Sequence, residues 1–149
     1  AKGIRFFENG IVSINLPVAD EVQRARASRT THPQSLRYFT QLCSHIAARD
    51  FIVDNPFILK TKADVVNDIA AFGCAELINY TCSCARTMFK PKSRWHCGAC
   101  SQCIDRRIAI IAAGQQDNDL ETDYEADVFT GARKEGYEQN IAVGYVRHA

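Results

Sequence analysis

Residues 96–114 read HCGACSQCIDRRIAIIAAG, and this stretch decides how the chain folds. Cys97, Cys100 and Cys103 form two overlapping Cys-x-x-Cys steps, each of which can turn two sulfurs toward one cation. Gly98 supplies the tight backbone that such a turn requires. The apolar residues that follow recur at helical spacing until a glycine ends them. The stretch therefore predicts a cysteine knuckle that leads directly into a helix.

The helix after the knuckle is expected to bury one apolar face. Ile104, Ile108 and Ile111 share that face at a spacing of about 3.6 residues. Arg106 and Arg107 lie between them. We expect one of these arginines to face the loop carbonyls or a nucleotide, and the other to face solvent.

A metal ion at the knuckle needs a fourth ligand from further upstream. Cys82 and Cys84 are both available, their alternation does not decide between them, and His96 could replace one ligand. Five of the seven cysteines lie within residues 82–103, which favours a metal in a reducing compartment over a disulfide framework. Iron–sulfur clusters use similar cysteine runs, but no larger scaffold for a cluster accompanies this one. We therefore expect a closed, structural zinc site within residues 82–107.

Strand signals lie in the first half of the chain. Asn9 and Gly10 separate the apolar runs Ile4–Phe7 and Ile11–Leu16, a pattern typical of a two-residue hairpin turn. Phe51–Val53 predicts a further short strand. We therefore expect an N-terminal β-hairpin and one more strand.

Two amphipathic helices are predicted between the hairpin and the cysteines. Thr31–Pro33 offers a capping hydroxyl and a proline suited to a first turn, so one helix is expected over residues 33–49. The other begins near Thr61 and ends at Gly73. The residues expected on the buried stripes are Leu36, Phe39, Leu42, Cys43 and Ile46 in the first helix, and Val65, Ile69 and Phe72 in the second.

Composition and charge exclude several classes of protein. Hydrophobic residues make up 46% and charged residues 23%, as in a globular protein, and the longest apolar run, Ile108–Ala113, is far below the ~20 residues that span a bilayer. Residues 1–107 contain 15 Lys or Arg against 9 Asp or Glu, whereas residues 108–149 contain 3 against 8. We expect no membrane partner, no nucleic-acid binding through net charge alone, and a loosely attached acidic segment at 115–149.

The cysteine region resembles a known family. TCSCA at Thr81–Ala85, followed by HCGACSQCIDRR at His96–Arg107, is similar to the C-terminal zinc motif of 7-cyano-7-deazaguanine synthases, PP-loop ATP pyrophosphatases of queuosine biosynthesis. NPFILKTKADVV at Asn55–Val66 also resembles the run that precedes the cysteines in that family. The resemblance implies four zinc ligands, namely Cys84, Cys97, Cys100 and Cys103. Cys82 falls outside this set.

The resemblance also carries expectations for fold and function. It implies that residues 1–114 form the C-terminal portion of a Rossmann-like, adenine nucleotide alpha hydrolase-like α/β fold. Such cytoplasmic enzymes use ATP and magnesium to activate a carboxylate on a deazapurine for attack by ammonia. The Ser-Gly-Gly-x-Asp-Ser loop of the family does not occur in these 149 residues. We therefore expect an N-terminal PP-loop half as a partner, no ATP hydrolysis by this chain alone, and possible assembly into a homo-oligomer.

A basic polar cluster upstream is a candidate for substrate contact. Arg26, Arg29, Thr31 and His32 lie outside the apolar pattern. Arginine forms bidentate contacts with carboxylates and phosphates, so we predict that this cluster lines the substrate side of the pocket. A solvated surface loop is equally consistent with the pattern. No catalytic residue is predicted.

A second hypothesis is a zinc-knuckle module that binds nucleic acid or a protein. The basic loop Arg86–Arg94 contains Phe89 and is followed by Trp95. Aromatic rings can stack on bases while Lys and Arg contact phosphates. The near-zero net charge ranks this hypothesis second.

Overall fold

Helices predominate in the structure, and its strands are short and parallel. The computed structural model describes residues 1–14, 30–86 and 94–148. They divide into a first unit of residues 1–14 and 30–61 and a second unit of residues 62–86 and 94–148. None of the described helices combines the length and apolarity needed to cross a bilayer. The chain is thus a mixed α/β protein, as the sequence predicts.

The first unit contains a two-stranded parallel sheet. Strand β1 (Gly3–Arg5) is followed by the single-turn helix α1 (Gly10–Ser13), helix α2 (Pro33–Ala47) and strand β2 (Ile52–Asp54). The two strands pair in parallel, with Ile4 opposite Val53. A crossover through α2 joins them, because parallel strands cannot be connected by a tight turn. The strand predicted at residues 51–53 is confirmed with a shift of one residue.

The predicted N-terminal hairpin is wrong. Asn9 caps α1, its side-chain oxygen accepting a hydrogen bond from the Val12 amide at 3.2 Å. Gly10 donates its amide to the Lys60 carbonyl, and a Cβ at position 10 would lie 2.3 Å from the Ile58 carbonyl oxygen. Asparagine is favoured at helix N-caps as well as in hairpin turns, so the local sequence does not distinguish the two.

Helix α2 forms where the sequence predicts it, but its apolar stripe is not buried. The imidazole of His32 caps the helix by accepting a hydrogen bond from the Gln34 amide, in place of the expected Thr31 hydroxyl. Leu36 is buried, whereas Phe39, Leu42 and Ile46 are exposed. The prediction for those three side chains is wrong, because the stripe shows only that a helix has an apolar face, not that a second layer covers it.

The second unit consists of helices around two small cores. Helix α3 (Lys62–Ala71) is followed by a 3₁₀ helix (Ala75–Tyr80), helix α4 (Ser101–Ala112), two 3₁₀ turns (Gln116–Asn118 and Glu121–Asp123) and helix α5 (Tyr137–His148). Val66, Ile78 and Ile110 form one core, and the other surrounds the cysteines.

Helix α4 contributes to both cores, and this changes its buried face. Ile104 is buried as expected, whereas Ile108 and Ile111 are each 43% exposed. Ile110 is buried instead, against the core it shares with α3. Phe72, expected on the stripe of the preceding helix, is also exposed. A single apolar stripe with a 3.6-residue period predicts that a helix packs in one direction. Helix α4 instead packs in two directions, one toward each core.

Candidate metal centre

Four cysteine side chains converge in the second unit. The sulfurs of Cys84, Cys97, Cys100 and Cys103 all lie within 4.8 Å of one another, and all four residues are buried. The sulfur–sulfur distance is 3.5 Å between Cys100 and Cys103 and 3.9 Å between Cys97 and Cys103. Zn–S bonds of about 2.3 Å in a tetrahedron place sulfurs about 3.8 Å apart. The donor set therefore fits zinc in both chemistry and spacing.

The local backbone positions three of these sulfurs. Cys100 is the N-cap residue of α4, and the Cys103 amide donates to the Cys100 carbonyl at 3.0 Å. Gly98 has a φ of +76°, and a Cβ there would lie 1.8 Å from the carbonyl oxygen of Ala126. Only glycine combines this left-handed conformation with so close an approach. The Gly98 of the motif is therefore needed to hold the loop against residues 124–128.

The buried thiols perturb one another strongly. Hydrogen bonding from Cys103, and then from Cys97, lowers the pKa of the Cys100 thiol. The pKa of Cys103 is raised, first by its contact with Cys100, then by Cys97 and by burial. Sulfurs packed this closely do not all ionise without a cation. A divalent ion that binds thiolates would relieve this conflict.

The two alternative ligands lie outside the converging set. Cys82 is exposed, and its thiol donates to the Trp95 carbonyl at 3.5 Å. His96 is buried, with its ring 4.8 Å from that of Tyr124, and its amide donates to the Asp123 carbonyl. Among the described residues, the structure thus brings Cys84 rather than Cys82 to the other three cysteines.

The C-terminal segment completes the core around the cysteines. Tyr124, Val128 and Ile141 are buried in the same cluster as the four sulfurs, and Tyr145 packs against it. The acidic composition of residues 115–149 predicts loose attachment of this segment. Charge patterning does not reveal the few apolar residues that anchor it. Where a domain boundary falls stays a prediction.

An ion pair joins the cysteine loop to the last helix. Arg86 lies two residues after Cys84 and contacts the carboxylate of Glu138 at 2.8 Å. Glu138 is buried and also accepts the Lys134 amide at 2.9 Å. The pKa of Glu138 is lowered by this amide and then by Arg86, and the same ion pair raises the pKa of Arg86.

Asp119 is a buried carboxylate that no sequence pattern indicated. It accepts hydrogen bonds from Arg106 Nε at 2.8 Å, from Arg107 Nη1 at 3.2 Å and from the Tyr124 hydroxyl at 2.8 Å. Both arginines are buried, so the expectation that one of them faces solvent is wrong. Burial, followed by the charge of Asp119, raises the pKa of Tyr124. No sequence signal marked Asp119, because it lies in an acidic stretch that reads as solvated.

Two of the four residues in the predicted substrate cluster, Thr31 and His32, are among the residues that the structure describes. Arg26 and Arg29 lie outside the described residues. Thr31 is buried, and its hydroxyl donates to the carboxylate of Glu8. His32 uses Nδ1 to cap α2. The substrate-binding role of these four residues stays a prediction.

The fold and the centre together define a class: a mixed α/β protein whose buried four-cysteine knuckle leads into an arginine-bearing helix. Residues 28–114, more than half of the chain, match the family model described as "Queuosine biosynthesis protein QueC". The chain belongs to this family, as the resemblance of its motifs implied.

Two curated relatives carry the name 7-cyano-7-deazaguanine synthase. The protein from Allorhizobium ampelinum is 36% identical over 83 residues, which cover 56% of this chain and 31% of the relative. The protein from Rhizobium rhizogenes is 34% identical over 82 residues, which cover 55% of this chain and 30% of the relative. The match thus spans less than a third of each relative's length. No solved structure matches the chain.

Proposed function

We propose that this chain is the zinc-bearing part of a 7-cyano-7-deazaguanine synthase-like enzyme. The observation that carries the proposal is the convergence of Cys84, Cys97, Cys100 and Cys103 on one buried point. Four protein donors fill a tetrahedral zinc sphere, so the ion would stabilise the fold and would not activate water. Membership in the QueC family supports the link to deazaguanine chemistry.

The reaction itself would need the rest of the enzyme. In our proposal, a PP-loop portion binds ATP and magnesium and activates a carboxylate on a deazapurine, which ammonia then attacks. The chain described here would add its strands and helices to a Rossmann-like sheet. Arg26, Arg29, Thr31 and His32 would lie on the substrate side of the pocket, where guanidinium groups suit an anionic ligand.

Metal analysis of matched cysteine variants tests the zinc site. We expect one zinc ion per chain in the wild-type protein and in Cys82→Ser, because Cys82 is exposed and outside the converging set. Cys84→Ser removes one of four ligands and should lose the metal. Elemental analysis of the purified proteins gives the result directly. A metal-free wild-type protein, or equal loss in both variants, would contradict the zinc site.

An activity assay tests the enzyme assignment. The longest polypeptide that the gene specifies should convert a carboxylated deazaguanine to the nitrile when ATP, magnesium and ammonia are supplied. The 149-residue chain alone should consume no ATP. Cys84→Ser in the longer polypeptide should lower activity in proportion to lost zinc, whereas Cys82→Ser should not. A longer polypeptide that makes no nitrile would refute the assignment, even if zinc is present.

The nucleic-acid hypothesis has weaker support. Trp95 is 58% exposed, as a stacking residue would need to be. Arg86, however, forms an ion pair with Glu138, and Arg94 donates to the Tyr124 carbonyl. Phe89 lies outside the described residues. We expect no binding of single-stranded RNA or DNA at low salt, and binding that weakens as salt rises would favour the alternative.

A further inference from the structure

Helix α2 closes one edge of the parallel sheet with its hydroxyl groups. Thr40 Oγ1 accepts the Val53 amide and donates to the Val53 carbonyl, both at 3.1 Å. Ser44 Oγ does the same for Phe51, at 3.0 and 3.2 Å. The four residues from Thr40 to Ser44 rise about 6 Å along the helix, and two strand residues span about 6.6 Å, so the two hydroxyls meet alternate residues. The outward-facing groups of Phe51 and Val53 thus have partners.

Along β1, the other edge of the sheet, the described residues provide no such closure. Ile52 donates to the Lys2 carbonyl, and Phe6 donates to the Asp54 carbonyl, so the backbone groups of the two residues that flank β1 face β2. By the alternation of a parallel strand, the backbone groups of Gly3 and Arg5 point away from it. Within the described ranges, 1–14, 30–86 and 94–148, no group is hydrogen-bonded to them.

Both faces of the sheet are also incompletely covered. Parallel sheets in proteins are buried on both faces, and two strands alone are marginally stable. Here Ile52 is 60% exposed on one face and Ile4 is 49% exposed on the other. A groove of about 360 Å³ runs beside them, lined by Lys2, Gly3, Ile4, Arg5, Ile52 and Asp54. Among the described residues, the sheet therefore has no strand beside β1 and only an incomplete apolar layer over Ile4 and Ile52.

We propose that β1 is the edge on which the remaining part of the enzyme docks, through a β-strand with apolar residues and a helix that covers Ile52. This inference rests on the proposed function. The length of the relatives supports this occupant, since the matched region is less than a third of each of them. A second copy pairing β1 with β1 would close the edge but would bring no layer to cover the exposed Ile52.

Hydrogen exchange tests the docking edge residue by residue. The amides of Gly3 and Arg5 should exchange rapidly in the 149-residue chain. In the longest polypeptide that the gene specifies, we expect both amides to slow by at least about 100-fold, as for buried ladder hydrogen bonds. Equal exchange in both proteins would overturn the proposal. So would a gene that specifies nothing beyond this chain.

Paired substitutions at Arg5 separate the backbone from the side chain. Arg5 forms a two-point ion pair with Asp54, both contacts at 2.9 Å. Arg5→Ala removes that pair and keeps the amide, whereas Arg5→Pro removes both. Proline is tolerated on a free edge but not within a ladder. In the isolated chain the two variants should melt alike. In the longer polypeptide, Arg5→Pro should melt several degrees lower than Arg5→Ala. Equal melting temperatures of the two variants there would contradict the docking edge.

Two controls separate this proposal from the proposed function. Zinc content and nitrile formation are measured on the same longer polypeptide. Normal zinc and activity with unprotected Gly3 and Arg5 would reject the docking edge alone. Protected amides without nitrile formation would reject the assigned reaction alone. Sedimentation of the 149-residue chain should show a monomer, and a dimer that Arg5→Pro dissociates would assign the edge to a second copy instead.

Discussion

Gly98 carries two separate constraints, and a matched glycine separates them. Gly98→Ala adds a Cβ that would meet the Ala126 carbonyl at 1.8 Å, in a left-handed conformation. Gly114 has a φ of +65° but nothing within 4 Å of a Cβ. We expect Gly114→Ala to lower the free energy of unfolding by about 1 kcal/mol and Gly98→Ala by about 3 to 5 kcal/mol. Urea unfolding measures both, and equal losses would mean that the loop relaxes freely.

Asp119 balances two buried guanidinium groups. Asp119→Asn leaves the charges of Arg106 and Arg107 buried with less compensation, although Arg107 also contacts the exposed Glu121. We expect a loss of about 3 to 5 kcal/mol in the free energy of unfolding. Asp117→Asn, two residues earlier and exposed, should change it by less than about 0.5 kcal/mol. Thermal melts of the two variants give the comparison, and similar melts would argue against the network.

At the residue scale, the sequence predicts the converging cysteines better than it predicts the carboxylates around them. The overlapping Cys-x-x-Cys steps made Cys97, Cys100 and Cys103 identifiable, because side chains at this spacing can turn toward one point. Asp119 and Glu138 could not be found in the same way. Their arginine partners lie 12 to 52 residues away along the chain, and both carboxylates lie in an acidic stretch that looks solvated.

At the scale of single elements, the contact between α2 and β2 depends on hydroxyl groups. Thr40→Val keeps the shape of the side chain but removes both hydrogen bonds to Val53. We expect a loss of about 1 to 3 kcal/mol in the free energy of unfolding of the first unit, because two backbone groups lose their partner. Thr40→Ser retains the hydroxyl and should lose less. Urea unfolding distinguishes the two, and an equal loss would mean that the methyl group dominates.

The contact of α5 with the cysteine loop should depend on pH. The pKa of Glu138 is lowered in the folded state, chiefly by the Lys134 amide and then by Arg86. Its stabilisation is therefore fully present above the unfolded-state pKa of about 4.3 and is lost as the pH falls through the lower folded-state value. Glu138→Gln should remove this loss and lower stability at pH 7 by about 1 to 3 kcal/mol.

Urea unfolding of the wild type and Glu138→Gln between pH 7 and pH 3 measures this effect. Glu135→Gln, at a nearby exposed position, is the matched control and should retain the wild-type slope. If the free energy of unfolding changes with pH in the same way for all three proteins, Glu138 does not contribute to the pH dependence.

The elements also show how far a sequence pattern reaches. Helix α2 was predictable because its proline start and apolar stripe are local signals. Helix α1 was not predictable, because Asn9 and Gly10 suit a hairpin turn and a helix start equally well, and a distant backbone segment at Ile58–Lys60 decides between the two. The burial of Phe39 or Ile108 depends on what packs against a helix, which its own periodicity does not encode.

At the scale of the whole molecule, metal removal should act on one unit and spare the other. The four cysteines lie in the core of the second unit, together with Tyr124, Val128 and Ile141. If zinc holds them, chelation should expose residues 94–148 to hydrogen exchange, since structural zinc contributes directly to folding. Residues 30–61 should keep their protection. Uniform loss across the chain, or none at all, would contradict a zinc-dependent second unit.

The α/β class and the family were predictable from the chain, whereas its division near residue 61 was not. Motif spacing identifies the family, because only restricted spacings let four cysteines converge on one point. The two-unit organisation depends on which side chains meet, and the acidic tail gave no sign that Ile141 would be fully buried beside the sulfurs.

The hydroxyl closure of β2 by Thr40 and Ser44 also bears on aggregation. A strand pair that can accept neighbours on both sides can stack without limit into a fibril. With one side occupied by α2, this pair has a single side left for recruitment. Edge-to-edge association through it therefore terminates at two molecules, and cross-β growth would first require α2 to detach.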